Sequence, residues 1–427
     1  MIIPLIIDKN GLEIEELFRV SWDEAGGLQK LLTGPPMTSI RDDHNRDMEP
    51  VTAPYRFRVS EQGNKIAILC NDPIFVPGKF GNLEFLLYDT QNKRISKTAV
   101  PLNDSRFEKL EIIDFLIDEN SMLYLLSRFY TKEKTITNRL QLVTPGGTPA
   151  WEIEWDTGAG ITVRNDSLSG KCTAIIKATE NHLLIQSEEA GKTAIFKINI
   201  KTGNAERWGS IDNTDLKIFA DDKLSMRYIS FIKGANNRAY IEYNPEKDKK
   251  LIQYAGPEIY AALAFPVAID IHNNIYCVEG FSLSCIGSAL HLKWVLPVNN
   301  IIPGSGYLLA SLYNENAKDL IIYKWGANGT LAETTHVNLN MPGIRLGRLL
   351  GLTNADDFVI ETYRENNKQV LLYNRATEKL EELSAKTLTK KFRLQAAATW
   401  QVDKMGNIYL PVAGDEALHI IKIAEPL

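Results

Sequence analysis

The chain of 427 residues carries little of what would announce a chemistry outright. Only 6 histidines are present, His44, His182, His272, His291, His336 and His419. None falls in an HxH or HExxH pattern or shares metal-ligand spacing with a cysteine, so a histidine-built metal site is not expected. The 4 cysteines, Cys70, Cys172, Cys277 and Cys285, include no CxxC pair. Cys70 and Cys277 lie in apolar runs, where cysteine acts as a small buried hydrophobe. A disulfide framework is therefore not expected. No apolar run approaches the roughly 20 residues of a spanning helix. The opening "MIIPLIIDKNG" lacks a basic leader and has too short an apolar run for a secretory signal. The expectation is a soluble, cytoplasmic protein with no membrane contact. A formal net charge of −5 leaves no strongly basic face, which argues against nucleic acid as a partner.

Familiar catalytic signatures are missing too. There is no GxSxG elbow, phosphate-binding loop, dinucleotide fingerprint or sialidase Asp box. "DDHNRDMEP" (42–50) gathers carboxylates, but lacks the glycine and spacing of a calcium loop. No metal and no cofactor is expected.

Helical periodicity is nearly absent. What recurs is a short apolar run, a tight turn and another short apolar run. "IDIHNNIYCVEG" (Ile269–Gly280) and "VDKMGNIYLPVAG" (Val402–Gly414) share an Asp, two residues, Gly or Asn, then Asn-Ile-Tyr. "LIDENSMLYLLSR" (Leu116–Arg128) and "VSEQGNKIAILC" (Val59–Cys70) are further copies. The Gly and Asn positions accept the positive φ of a hairpin turn. A third apolar strand and a polar fourth follow, as in "FLLYDTQNKRISKTAV" and "VLLYNRATEKLEEL". The apolar strand suits a sheet interior and the polar one an exposed edge.

Second strands are expected near Ile68, Leu125, Leu184, Ile229, Tyr276, Leu309, Val359 and Tyr409. Their spacing is about 45–60 residues, with one interval near 33. Four-stranded units at this period predict an all-β fold: a single closed β-propeller over residues 1–427, of eight blades or seven. The last unit, Ala398–Ile423, has only three strands. A strand from "MIIPLIID" or "GLEIEELFRV", within Met1–Val20, is expected to complete it. Residues 21–55, rich in Gly, Pro and charge, read as a polar connector inside the domain.

The Asp-x-x-Gly-Asn-Ile-Tyr turns resemble those of NHL-type propellers. "INIKTGNAERW" (Ile198–Trp208) and "LVTPGGTPAWEIEW" (Leu142–Trp155) resemble blades of quinoprotein-like propellers. That resemblance implies a turn at Thr-Gly and a Trp docked on the neighbouring blade. It extends over most of the chain as architecture and carries no activity.

In such a fold the loops between second and third strands open on one face. That rule collects Asp72, Arg128 with Tyr130, Glu188, Lys233, Glu279, Tyr313 with Glu315, Glu361 with Tyr363 and Arg364, and Asp415. The leading expectation is a binding propeller that takes a small molecule, a peptide or a protein on this face. Arg128, Tyr130, Tyr313, Asp72 and Asp415 are its candidate ligand-binding residues. The alternative is a hydrolase, lyase or isomerase, as in gluconolactonase-like and strictosidine-synthase-like propellers. Their metal-binding Glu/Asn/Asp set has no residue-by-residue match here. For an enzyme, Glu361 or Glu279 would be the general base, Arg364 or Arg128 the anion clamp, and Tyr363 or Tyr313 the proton donor. The second strand at Phe358–Ile360 is expected to end before Glu361. Glu361 and Tyr363 would then leave the sheet on one side, about 6–7 Å apart at a strand rise of roughly 3.3 Å per residue.

Overall fold

The computed structural model describes the strands and tight turns between residues 13 and 424. Residues 1–12, 22–56, 157–170, 255–265, 384–400 and 425–427, with short linkers between other strands, lie outside the described residues. The described residues form 33 strands and no helix. They assemble into eight antiparallel sheets. Sheets 1 to 7 span residues 57–101, 107–156, 171–211, 218–254, 266–297, 302–338 and 344–383. Each is a meander, first strand to fourth, and sheet 2 gains Ile74–Phe75 at the edge of its first strand. All eight second strands fall where the repeat placed them.

The sequence pattern follows from coverage. In sheet 1 the second strand, Lys65–Leu69, is buried at every residue but its first. The fourth strand, Arg94–Pro101, is exposed except at Thr98 and Val100. A strand covered on both faces reads as continuous apolar sequence, and an outer strand does not.

Sheet 8 consists of Gln401–Val402, Ile408–Ala413 and Ala417–Ala424, with Glu13–Ser21 as its fourth strand. Glu13 lies opposite Ala424 and Ser21 opposite Ala417, with a register shift between Glu16 and Phe18. The edge left open by the C-terminal strands is thus covered from the N-terminus, as the three-strand count required. "GLEIEELFRV" supplies that strand, while "MIIPLIID" lies outside the described residues. Val20 is buried in the core between sheets 8 and 1. Phe18 stacks on Tyr88 of sheet 1 at 3.9 Å, and the Tyr88 hydroxyl donates to the Leu17 carbonyl at 3.0 Å.

The recurrent turn has one construction. Its first residue is Ser60, Asp118, Asp270, Thr353 or Asp403, and its side-chain oxygen accepts backbone N–H groups from across the turn. Its fourth residue has positive φ: Gly63 at 75°, Ser121 at 61°, Asn273 at 63°, Asp356 at 65° and Gly406 at 89°. A polar side chain that bonds its own backbone holds the chain in this left-handed turn.

Apolar cores lie between sheets 1 and 2, 2 and 3, 3 and 4, and 4 and 5. Trp155 and Trp208, each on an outer strand, pack in the cores facing the next sheet. Here sequence order breaks. Sheet 5 meets sheet 8: the Ile271 N–H donates to the Lys404 carbonyl at 2.9 Å. Sheet 8 then meets sheet 1, where the Lys404 N–H donates to the Glu61 carbonyl at 2.9 Å. Sheets 6 and 7 share their own core around Leu309, Ile322, Phe358 and Ile360. The described residues form eight sheets, but these contacts depart from a single ring of eight or seven equal blades following one another. Sheet 8 is joined to both neighbours through its turn at Lys404.

Candidate functional site

The first strands of sheets 1, 2 and 3 lie side by side and are pinned by charge. Asp114, in the first strand of sheet 2, takes Arg58 Nη2 of sheet 1 on Oδ1 at 2.5 Å. Its Oδ2 accepts the Ile175 N–H of sheet 3 at 3.0 Å. Arg58 Nε also donates to the Phe115 carbonyl at 2.9 Å. Both side chains are buried, so each charge depends on the other. Lys177 of sheet 3 forms an ion pair with Glu61 in the sheet 1 turn. Asp114 and Lys177 were not singled out from sequence. A charged residue inside the apolar run "EIIDFLI" was the available signal.

The candidate residues divide three ways. Arg128 and Tyr130 are brought together, on the second strand of sheet 2 (Leu123–Thr131) where it runs into its turn. Tyr130 donates its hydroxyl to Glu111 Oε2 at 2.8 Å. Arg128 Nη1 stands 3.9 Å from the same oxygen, and its Nε lies 3.5 Å from Asn138 Oδ1. The register explains this, since Glu111, Arg128 and Asn138 are opposite one another on three adjacent strands. The Lys109 ammonium sits 4.8 Å from the Tyr130 ring centroid. Burial, then the hydrogen bond with Glu111, raises the Tyr130 phenol above its ordinary range, so it stays a donor at neutral pH. Glu111 and Lys109 escaped the sequence reading because the loop rule looked only beyond second strands.

Glu361 and Tyr363 also meet, but not as expected. The strand does not end at Ile360; it continues as Phe358–Arg364. Glu361 pairs with Arg348 and Val370 across the sheet and is buried, and Tyr363 donates to Glu361 Oε1 at a long 3.4 Å. Arg364 is exposed at the strand end and does not join them. Ladder pairing prolonged this strand, since its neighbour Asn367–Asn374 has the length to match it. Glu279 ends a strand opposite Ser282, and Tyr313 lies in the strand Tyr307–Asn314 opposite Leu320. Glu279 thus lies on sheet 5 and Tyr313 on sheet 6. Asp72, Lys233, Glu315 and Asp415 lie outside the described residues. Among the described residues, no three His, Cys, Asp or Glu side chains group as metal ligands. No described helix is long and apolar enough to cross a membrane.

Four-stranded antiparallel meanders packed against one another define a propeller-like all-β protein. No protein-family model matches the sequence, and no curated protein is similar to it in sequence. Among solved structures, dipeptidyl peptidase 4 of Porphyromonas gingivalis is similar at 12% identity over 98% of this chain and 65% of that one, with a TM-score of 0.36. Hydrazine synthase of Kuenenia stuttgartiensis is similar at 10% identity over 81% and 99%, TM-score 0.34. The Dos1 propeller is similar at 11% identity over 87% and 93%, TM-score 0.32.

Proposed function

We propose that the protein is a binding propeller, with sheets 1 to 5 and 8 as a closed six-membered ring and sheets 6 and 7 as a paired extension. Its ligand is a small molecule or peptide bearing a polar group, taken at the loop end of sheet 2. The observation that supports this reading is the convergence of Glu111, Arg128 and Tyr130, with Lys109 against the Tyr130 ring. A half-exposed carboxylate, phenol and ammonium, held by a buried arginine, offer both acceptors and donors at fixed spacing.

The test is affinity selection from a random peptide library displayed on phage, using the immobilised full chain. Selected peptides should lose at least tenfold in affinity for Tyr130→Phe and Glu111→Gln, while both variants keep the wild-type melting temperature within a few degrees. Convergent peptides indifferent to both variants would move the site elsewhere.

A second reading is an enzyme that uses Glu361 with Tyr363. The pairing of a buried carboxylate with a phenol favours it. Hydrolysis of an ester or lactone panel that disappears in Glu361→Gln, without loss of stability, would establish this reading over the first.

A further inference from the structure

Among the described residues, seven of the eight sheets have four strands and sheet 2 has five. The fifth is Ile74–Phe75, which comes from between the second and third strands of sheet 1. It pairs antiparallel with the outer edge of the first strand of sheet 2, Phe107–Ile117. Ile74 stands opposite Glu111 and Phe75 opposite Leu110. Glu111 is the carboxylate that takes the Tyr130 hydroxyl at 2.8 Å and has Arg128 Nη1 at 3.9 Å. Sheet 1 therefore lends a strand to sheet 2 at the residue around which the polar cluster is built.

This pairing is short for a chemical reason. A typical strand has about five or six residues, and this one has 2. Pro73 and Pro77 bracket it in the sequence, and proline donates no backbone N–H to a ladder. The strand it pairs with is far longer, at 11 residues. Toward the end of that strand, Arg58 holds the Asp114 side chain and the Phe115 carbonyl. Toward its start, Phe107 to Lys109 have no partner strand on this edge among the described residues. An open strand edge is a template for pairing with another extended chain. Residues opposite each other on antiparallel strands share one face of the sheet, so any residue placed opposite Glu111 lies on the side of its carboxylate.

We propose that sheet 2 takes its ligand as an extended polypeptide, added antiparallel along Phe107–Glu111, and that Ile74–Phe75 holds this edge until a ligand strand replaces it. This ligand class deepens the binding reading above and rests on it. Main-chain hydrogen bonds to the edge supply affinity, and the position opposite Glu111 supplies selection. Ile74–Phe75 is a tethered competitor, and a tethered strand acts at a high effective concentration. A ligand in trans therefore binds more weakly to the wild-type chain than to one without this pairing.

A fluorescein-labelled synthetic peptide of residues 71–78 is the probe, read by fluorescence anisotropy on the full chain. The double variant Ile74→Pro/Phe75→Pro removes the tethered strand, because proline cannot donate to the ladder at either position. It should bind the probe at least fivefold more tightly than wild type does. As a second readout, independent of the prolines, the same peptide with a benzophenone at its Phe75 position should crosslink to wild type within residues 107–117. Equal affinity of the two proteins, or crosslinks confined to other sheets, would overturn the proposal. Library peptides that depend on Tyr130 yet bind both proteins alike would keep the binding reading and overturn strand addition. A probe that prefers the double variant, when no library peptide depends on Tyr130 or Glu111, would keep strand addition and remove the polar cluster from the site.

Discussion

Tyr276 of sheet 5 reaches over the turn of sheet 8, where its hydroxyl lies 3.4 Å from the Gly406 carbonyl. The same hydroxyl also donates to Asp270 in its own turn at 3.1 Å. One sheet further on, Tyr409 of sheet 8 donates to Asp403 at 3.0 Å and lies over Gly63 of sheet 1. Each tyrosine of the repeated Asn-Ile-Tyr therefore closes its own turn and seats the next. The order in which they do so is sheet 5, sheet 8, sheet 1.

Gly406→Ala should destabilise the protein by two mechanisms. A Cβ there would lie 2.5 Å from the Tyr276 hydroxyl, and φ is 89°. Gly191 is the control, because its φ is 83° and nothing lies within 4 Å of a Cβ. Gly191→Ala should cost about 1–2 kcal/mol from backbone strain alone. Gly406→Ala should cost a further 1–3 kcal/mol or so from the collision. Urea denaturation of the two variants measures the difference, and equal losses would show that the tyrosine moves aside freely.

Removing residues 1–21 should strip the outer strand from sheet 8. Burial of Val20 alone stabilises by about 1.5–3 kcal/mol, and Phe18 adds its stack on Tyr88. The truncated chain should also aggregate at rising concentration, because the edge Ala417–Ala424 is left unpaired. Melting curves with light scattering check both effects. A truncated chain that melts like wild type would show that the strand is not a clasp.

Asp114→Ala should be among the most damaging single changes, at about 3–5 kcal/mol, because it leaves the Arg58 charge buried without its carboxylate. The double variant Asp114→Leu/Arg58→Met should recover much of that loss. Chemical denaturation of the single and double variants provides the cycle. Additive losses would mean that the two residues act independently.

Lys217 gives a stability difference with a defined pH window. Its folded pKa is lowered, to about 8 from an ordinary 10.5, so between these values the unfolded chain binds more protons than the folded one. Wild-type stability should therefore rise relative to Lys217→Met as pH increases from about 8 to about 10.5, and level off above. Below pH 8 the amine is charged in both states and the gap is constant. Paired denaturation curves from pH 7 to 11 test this, and a gap that stays flat throughout would refute it.

Local features of the fold were legible because they depend on near neighbours. Asp270 and Asp403 marked their turns, since a short carboxylate bonding backbone four residues on leaves a recognisable spacing. The Thr353 copy escaped notice because a hydroxyl replaces the carboxylate and Asp356, not Gly or Asn, takes the positive φ. The loop rule singled out Arg128 and Tyr130, which the structure places in the strand Leu123–Thr131. It did not reach Glu111, since only strand register places that residue opposite Arg128.

The sequence by itself determined the strands, the turn chemistry and the missing fourth strand of the last sheet. Alternation, Asx-type bonding and edge polarity act over a few residues and need no distant partner. The end of the strand at Arg364 and the burial of Glu361 came only with the tertiary structure, through a neighbouring strand long enough to pair. So did the meeting of sheet 5 with sheet 8. Sheets 1 to 4 each line two apolar cores, and composition does not say which face meets which. That choice rests on shape, on Tyr276 over Gly406 and Tyr409 over Gly63.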